Sequence, residues 1–191
     1  MKRKPGFFIL LCLTIFLAIG VPACGPDYYA IRDIAKIEIF DPMSGIILGN
    51  PATTTSDSIS LVIYMEFDGF SYYHIQTSGM MNEAWATSPE PPIMANEIKD
   101  IRIFCDQPIY GFASGQDIKE KLQFGYDNTV NFSLNDYLEI LPNKGDFGSG
   151  FGPIYVNFNT KPAPGDYTFT VEMEDNNGHV FTSTASTLQW L

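Results

Sequence analysis

The chain has 191 residues, with 11 Lys and Arg against 22 Asp and Glu and a formal net charge of −11. So acidic a surface repels phosphate backbones and lacks the basic stripe that nucleic-acid binding requires, so no nucleic-acid partner is expected. The length suits one domain with a real core, and no unit repeats.

Met1-Lys2-Arg3-Lys4 opens the chain, and an apolar run from Phe7 to Val21 follows, interrupted only by Thr14 and Gly20. That run is shorter than the roughly 20 apolar residues of a spanning helix, and with its cationic start it reads as an export signal. It ends in Val21-Pro22-Ala23, which leads straight into Cys24. These four residues resemble the lipobox of bacterial lipoproteins. The resemblance implies cleavage between Ala23 and Cys24, with palmitate or a similar acyl chain on the lipid carried by the Cys24 sulfur. Each buried methylene contributes about 0.8 kcal/mol, so two or more chains hold a soluble domain on a bilayer where one does not. Two other readings stay open: an ordinary signal peptide followed by a free thiol, and an uncleaved anchor helix. Removing residues 1–23 takes away three cations and no acid, leaving eight cations against 22 acids, a net charge of −14.

Residues 24–30 read as a short membrane-proximal linker and 31–191 as a single all-β domain. In "IRDIAKIEIFD" an alternating pattern begins with Ile34, Ile37 and Ile39. "SISLVIYMEF", residues 58–67, is continuously apolar and β-branched, which suits a strand central in a sheet. Residues 78–96 hold three prolines in four positions and read as a long loop. "EIKDIRIFCD" alternates Ile98, Ile101 and Ile103, and Lys99-Asp100 breaks the period as a bulge would. Two short helical turns are expected, one in "GQDIKEKLQF" after Asp117 and one in "SLNDYLEIL", where Ser133 and Asp136 have capping-box spacing. Glycine dominates residues 143–153 as a flexible connection. "PIYVNFNT" alternates again, and "DYTFTVEMED" places Tyr167, Phe169, Val171 and Met173 on one face. Asp175-Asn176-Asn177-Gly178 turns the chain into "HVFTSTASTLQW", the return strand of an edge hairpin. One-sided alternation of this kind belongs to an antiparallel sandwich.

Chemistry-bearing residues are few. Cys12 lies in the signal and Cys24 would carry lipid, so Cys105, at the end of a strand-like run, reads as a small buried hydrophobe. His74 and His179 have neither metal-ligand nor catalytic spacing, and no cofactor-binding motif appears. Glu172, Glu174 and Asp175 cluster at the hairpin, where the loop is too tight to wrap calcium, so turn chemistry explains Asp175 and no metal is expected. Trp85 stands apart from the strands among Pro and Met neighbours, where its indole would cap the core, stack on a sugar or dock a partner. Trp190 reads as core.

The lipobox, the Pro-rich loop after "AWATSPEPP", "EIKDIRIFCD" and the terminal Pro-x-Pro-Gly-x-Tyr hairpin together resemble an uncharacterised family of Bacteroidota cell-envelope lipoproteins with an immunoglobulin-like domain. The resemblance implies an immunoglobulin-like sandwich anchored in the outer membrane, and it supplies no catalytic residue. Asp27 alone among the first mature residues is acidic, which leaves periplasmic and cell-surface faces both open. The leading expectation is a non-enzymatic accessory or adhesion-type protein presenting its loops to an envelope protein or glycan. A surface glycan-binding subunit of a polysaccharide uptake system is the alternative, with Trp85 as its candidate ligand contact. An envelope hydrolase, using carboxylates brought together by folding, ranks below both.

Overall fold

The computed structural model describes residues 28–70, 93–140 and 152–191. Twelve strands are present among them: β1 (Tyr28–Asp41), β2 (Ile46–Ile47), β3 (Ala52–Thr54), β4 (Ile59–Phe70), β5 (Ile93–Met94), β6 (Ile98–Cys105), β7 (Gln123–Gly125), β8 (Ile154–Phe158), β9 (Gly165–Tyr167), β10 (Phe169–Asp175), β11 (Val180–Thr184) and β12 (Leu188–Trp190). A 3-10 turn at Lys119–Lys121 and one α-helix, α1 (Leu134–Ile140), complete the set. The fold is an all-β sandwich. One layer is a six-stranded sheet ordered β2-β1-β4-β8-β7, with β5 also on β1; the other is formed by two three-stranded sheets, β11-β10-β6 and β3-β12-β9.

The apolar patterning explains this arrangement. β4 lies between β1 and β8, and all five residues from Ile59 to Ile63 are buried, as its continuous apolar run requires. β1 contributes Ile34 and Ile39 to one core that also takes Val156 and Phe158 from β8, Ile101 and Ile103 from β6, and Phe169, Val171 and Met173 from β10. Across the layers the rings of Phe158 and Phe169 lie 4.8 Å apart. Burying each such side chain contributes about 1.5–3 kcal/mol, so this shared interior dominates the fold's stability. Trp190 closes the far end: it is fully buried, and its indole Nε1 donates to the Ser56 carbonyl at 2.7 Å, so its polar edge is satisfied.

The local signals produced their elements. The β6 bulge falls where Lys99-Asp100 breaks the alternation: Asp100 pairs with Glu174, whereas the next residue, Asp175, pairs with Ile98. Ser133 Oγ accepts from Asp136 N at 3.3 Å and donates to Asp136 Oδ2 at 2.6 Å, starting α1. Asp117 Oδ1 accepts from Lys119 N at 3.1 Å ahead of the 3-10 turn.

Several elements differ from the sequence expectation. β1 begins at Tyr28, inside the stretch read as linker, because Tyr28, Tyr29 and Ala30 already pair with Phe70, Gly69 and Asp68 of β4. The loop read over 78–96 ends in a short strand, since Ile93 and Met94 pair with Tyr28 and Tyr29 in parallel. The terminal hairpin is more than an edge pair. β10 has β6 on its other side, and its return strand breaks after Thr184, so that β12 joins a separate sheet, antiparallel to β9 and parallel to β3. Most pairings are antiparallel; the β1–β5 and β12–β3 pairs are the parallel ones among the described residues.

Candidate interaction surfaces

Ala23, Cys24, His74 and Trp85, and most of the glycine-rich stretch 143–153, lie outside the described residues. The structure does fix where their neighbours sit. Three residues separate Cys24 from β1, and β1 then runs unbroken for 14 residues with two bulges. Phe70 and Ile93, which flank the segment holding Trp85, both pair with Tyr28. That segment therefore leaves and rejoins the sandwich at the end nearest Cys24.

The opposite end of β1 is a braced apolar tip. Asp41 Oδ1 accepts from Met43 N at 2.9 Å and Ser44 N at 3.3 Å, its Oδ2 accepts from Ser56 Oγ at 2.7 Å, and Gly45 takes φ +73° to close the turn. Burial pushes the Asp41 carboxyl up, but these donors outweigh it and hold it below the usual range. Met43 on this turn and Ile46 and Ile47 in β2 just after it are 73%, 56% and 51% exposed. Ile46 and Ile47 are consecutive in β2 and so point to opposite faces of the pleat, Ile47 into the adjoining groove, and exposed apolar surface of this kind marks interaction sites.

Beside the tip, the seam between the two layers opens into a groove of about 490 Å³, lined by Ile37 and Ile39 of β1, Leu48 and Asn50 after β2, and Thr184 and Ser186 at the end of β11. The outer face of the large sheet forms a third surface. Lys36 pairs across to Tyr64, and the Lys36 Nζ sits 4.4 Å from the Tyr64 ring centroid. Phe40 meets Tyr155 edge-on at 6.4 Å. Behind them runs a polar chain in which Ser60 Oγ donates to Asn157 Oδ1 at 2.6 Å and Asn157 Nδ2 to Asn131 Oδ1 at 2.8 Å.

The acidic cluster at the hairpin is structural. Asp175 is fully buried. Burial raises its carboxyl, yet donors from Asn96, His179 and Asn177 overcome this and bring it down to about 2. Glu174 pairs with Lys99 at 3.0 Å and Glu172 with Arg102 at 3.4 Å, each across the β6–β10 ladder. Among the described residues no group of three or more His, Cys, Asp and Glu is placed to hold a metal ion. The His179 side chain is exposed as expected of a residue after the turn, although its Nδ1 also lies 3.2 Å from Asp175 Oδ2. Cys105 is buried and free, and burial pushes its thiol up to about 11.

Sequence reading missed the polar residues that organise these surfaces. Asn96 sat in a stretch read as loop, although it is buried and hydrogen-bonded to both β1 and β10. Ser60 and Asn157 sit in strands whose pattern gave no sign that their hydroxyl and amide meet. No family model matches the chain, and comparison with curated proteins and with solved structures finds no match. No helix among the described residues is long and apolar enough to cross a membrane.

Proposed function

We propose that this chain is a lipid-anchored cell-envelope protein of non-enzymatic interaction type, an immunoglobulin-like sandwich held at the outer membrane through acylated Cys24. The observation that carries the reading is the reach of β1. It starts four residues after Cys24, and its thirteen steps of about 3.3 Å span roughly 40 Å before Asp41. A tether at one pole thus leaves the braced tip of Met43, Ile46 and Ile47 at the other, well clear of the bilayer. Its partner there is an envelope protein with a complementary apolar surface.

Photocrosslinking in cells from position 47, with position 68 at the opposite end of the sheet as control, tests this. The expected result is an adduct with an envelope protein from position 47 that disappears in Cys24→Ser. Adducts formed only from position 68, or formed equally without Cys24, contradict the reading.

A second reading, glycan binding, is favoured by the aromatic outer face. Tyr64, Tyr155 and Phe40 present ring surface beside the Lys36 ammonium, a combination suited to stacking on a sugar ring. Screening the protein against a glycan array with Tyr155→Ala and Trp85→Ala tests it. Binding lost in either variant supports the glycan reading, and no binding to any glycan removes it.

A further inference from the structure

We propose that Asn177 is a self-modification site held in check by the hairpin turn: when the turn opens, the Gly178 main-chain nitrogen attacks the Asn177 side-chain amide, and the product cannot rebuild the turn. The reaction needs none of the interaction surfaces above. Such an attack requires a main-chain N–H directly after the asparagine and free space around its Cγ, and a following glycine leaves the most space. Asn177-Gly178 is the one Asn-Gly pair in the sequence. Asn50 precedes Pro51, which has no N–H, and every other asparagine precedes a residue whose side chain crowds the approach. Asn177 is also exposed, so water reaches its amide.

The chemistry needs water alone as co-reactant. Gly178 N gives up its proton to solvent and bonds to Asn177 Cγ, the Cγ–Nδ2 bond breaks, and ammonia leaves behind a five-membered cyclic imide. Water then opens the ring. Attack at Cγ gives aspartate, whereas attack at the Asn177 main-chain carbonyl carbon gives isoaspartate, whose chain runs through Cβ and Cγ.

The folded turn keeps the reacting atoms apart. Gly178 N donates to Asp175 O and Asp175 N to His179 O, both at 3.0 Å, with Gly178 at φ +82°. Tyr110 is the one non-glycine residue with positive φ among those described, so Asn176 and Asn177 take negative φ, and the turn is type I followed by a glycine bulge. The third residue of such a turn, here Asn177, has ψ of about 0°. That sets Gly178 N and Asn177 Cβ on different sides of the Cα–C bond, whereas ring closure needs them eclipsed. Rotating into that geometry breaks the bond from Gly178 N to Asp175 O. Asp175 Oδ1 resists the opening by accepting from Asn177 N and His179 N at 2.9 and 2.8 Å, and Asn176 N is pinned to Glu97 O at 2.9 Å. Isoaspartate adds one methylene to the main chain between Asn177 Cα and Gly178 N. Gly178 N and His179 N can then no longer meet Asp175 while Asn177 N holds it, so the change is one-way.

The test incubates the full chain as processed in cells at pH 8 in detergent micelles, folded and across a urea series, and follows aspartate and isoaspartate at position 177 by peptide mapping with mass spectrometry. The folded chain is expected to react at least tenfold more slowly than the denatured one, the rate rising through the unfolding transition, with isoaspartate as the major product. Asp175→Asn weakens the acceptor that pins the turn, and is expected to speed the folded-state reaction at least threefold. Hydrogen exchange at Gly178 and His179 should be slow in the unreacted chain and fast in the isoaspartate form. Equal rates in folded and denatured chains overturn the proposal, as do aspartate without isoaspartate, another asparagine reacting first in urea, an unchanged rate in folded Asp175→Asn, or slow exchange at both amides after reaction. Should Asp175→Asn fail to fold, the urea series on the unaltered chain decides by itself.

Discussion

Asn96 Nδ2 donates to Asp175 Oδ2 at 2.9 Å, and the same amide exchanges two bonds with the Ile31 main chain, at 2.6 Å through Oδ1 and 3.1 Å through Nδ2. One buried side chain thus ties the start of β1, in the large sheet, to the end of β10 in the opposite layer. Asp175 also accepts from the main chain of Asn177 and His179, at 2.9 and 2.8 Å, so the carboxylate that shapes the hairpin turn also anchors the clamp. The contact lies at the end of the sandwich nearest Cys24, where a pull through a tether would first be felt.

Acid should loosen this clamp. The folded Asp175 carboxyl lies at about 2 against an ordinary value of 3.8, so its stabilisation is complete above about pH 4 and is lost as pH falls towards 2. The expected loss is about 2 kcal/mol. Urea unfolding between pH 2 and pH 6 measures it, and Asp175→Asn should flatten that part of the profile.

Asn96→Ala should cost about 2–4 kcal/mol, because it removes a buried donor from Asp175 Oδ2 and takes away the side-chain partner of both main-chain groups of Ile31. It should also raise the Asp175 carboxyl, moving acid unfolding to higher pH. Thermal melts at pH 7 and pH 3.5 read the two effects together.

Cys105 should stay silent in the folded protein. Its thiol is buried and raised to about 11, so almost no thiolate exists at neutral pH. Iodoacetamide at pH 8 is expected to label it only in denaturant, and labelling of the native chain at the rate of a free thiol would contradict the placement.

Gly125→Ala should be among the most damaging single changes. A Cβ there would lie 2.1 Å from the Val130 carbonyl oxygen and 2.9 Å from that of Asp127, both main-chain atoms. Since β7 pairs with β8 through this residue, the strand and the turn after it would have to separate. A loss above about 3 kcal/mol in denaturant titration is expected; a loss below about 1 kcal/mol would mean that the turn adapts.

The parts of this fold that were legible in the sequence are those written in local pattern. The period-two alternation of Phe169, Val171 and Met173, the apolar run of β4 and the Ser133–Asp136 cap each depend on residues close in the chain. Pairings across long separations left no such trace. β3 is three residues long and parallel to β12, more than 130 residues away, so neither its periodicity nor its turns announce it. Asn96 carried no signal because its meaning lies in partners 65 and 79 residues distant. The lipobox-like Val21-Pro22-Ala23-Cys24 is the converse case, a signal wholly in the sequence.

Intact-mass measurement of the chain from membranes tests the central claim most directly. The account predicts a protein that begins at Cys24 and carries the added mass of a diacylglyceryl group, with the modified sulfur located by peptide fragmentation. A soluble product with an unmodified Cys24 thiol, or a chain that retains residues 1–23, would contradict it.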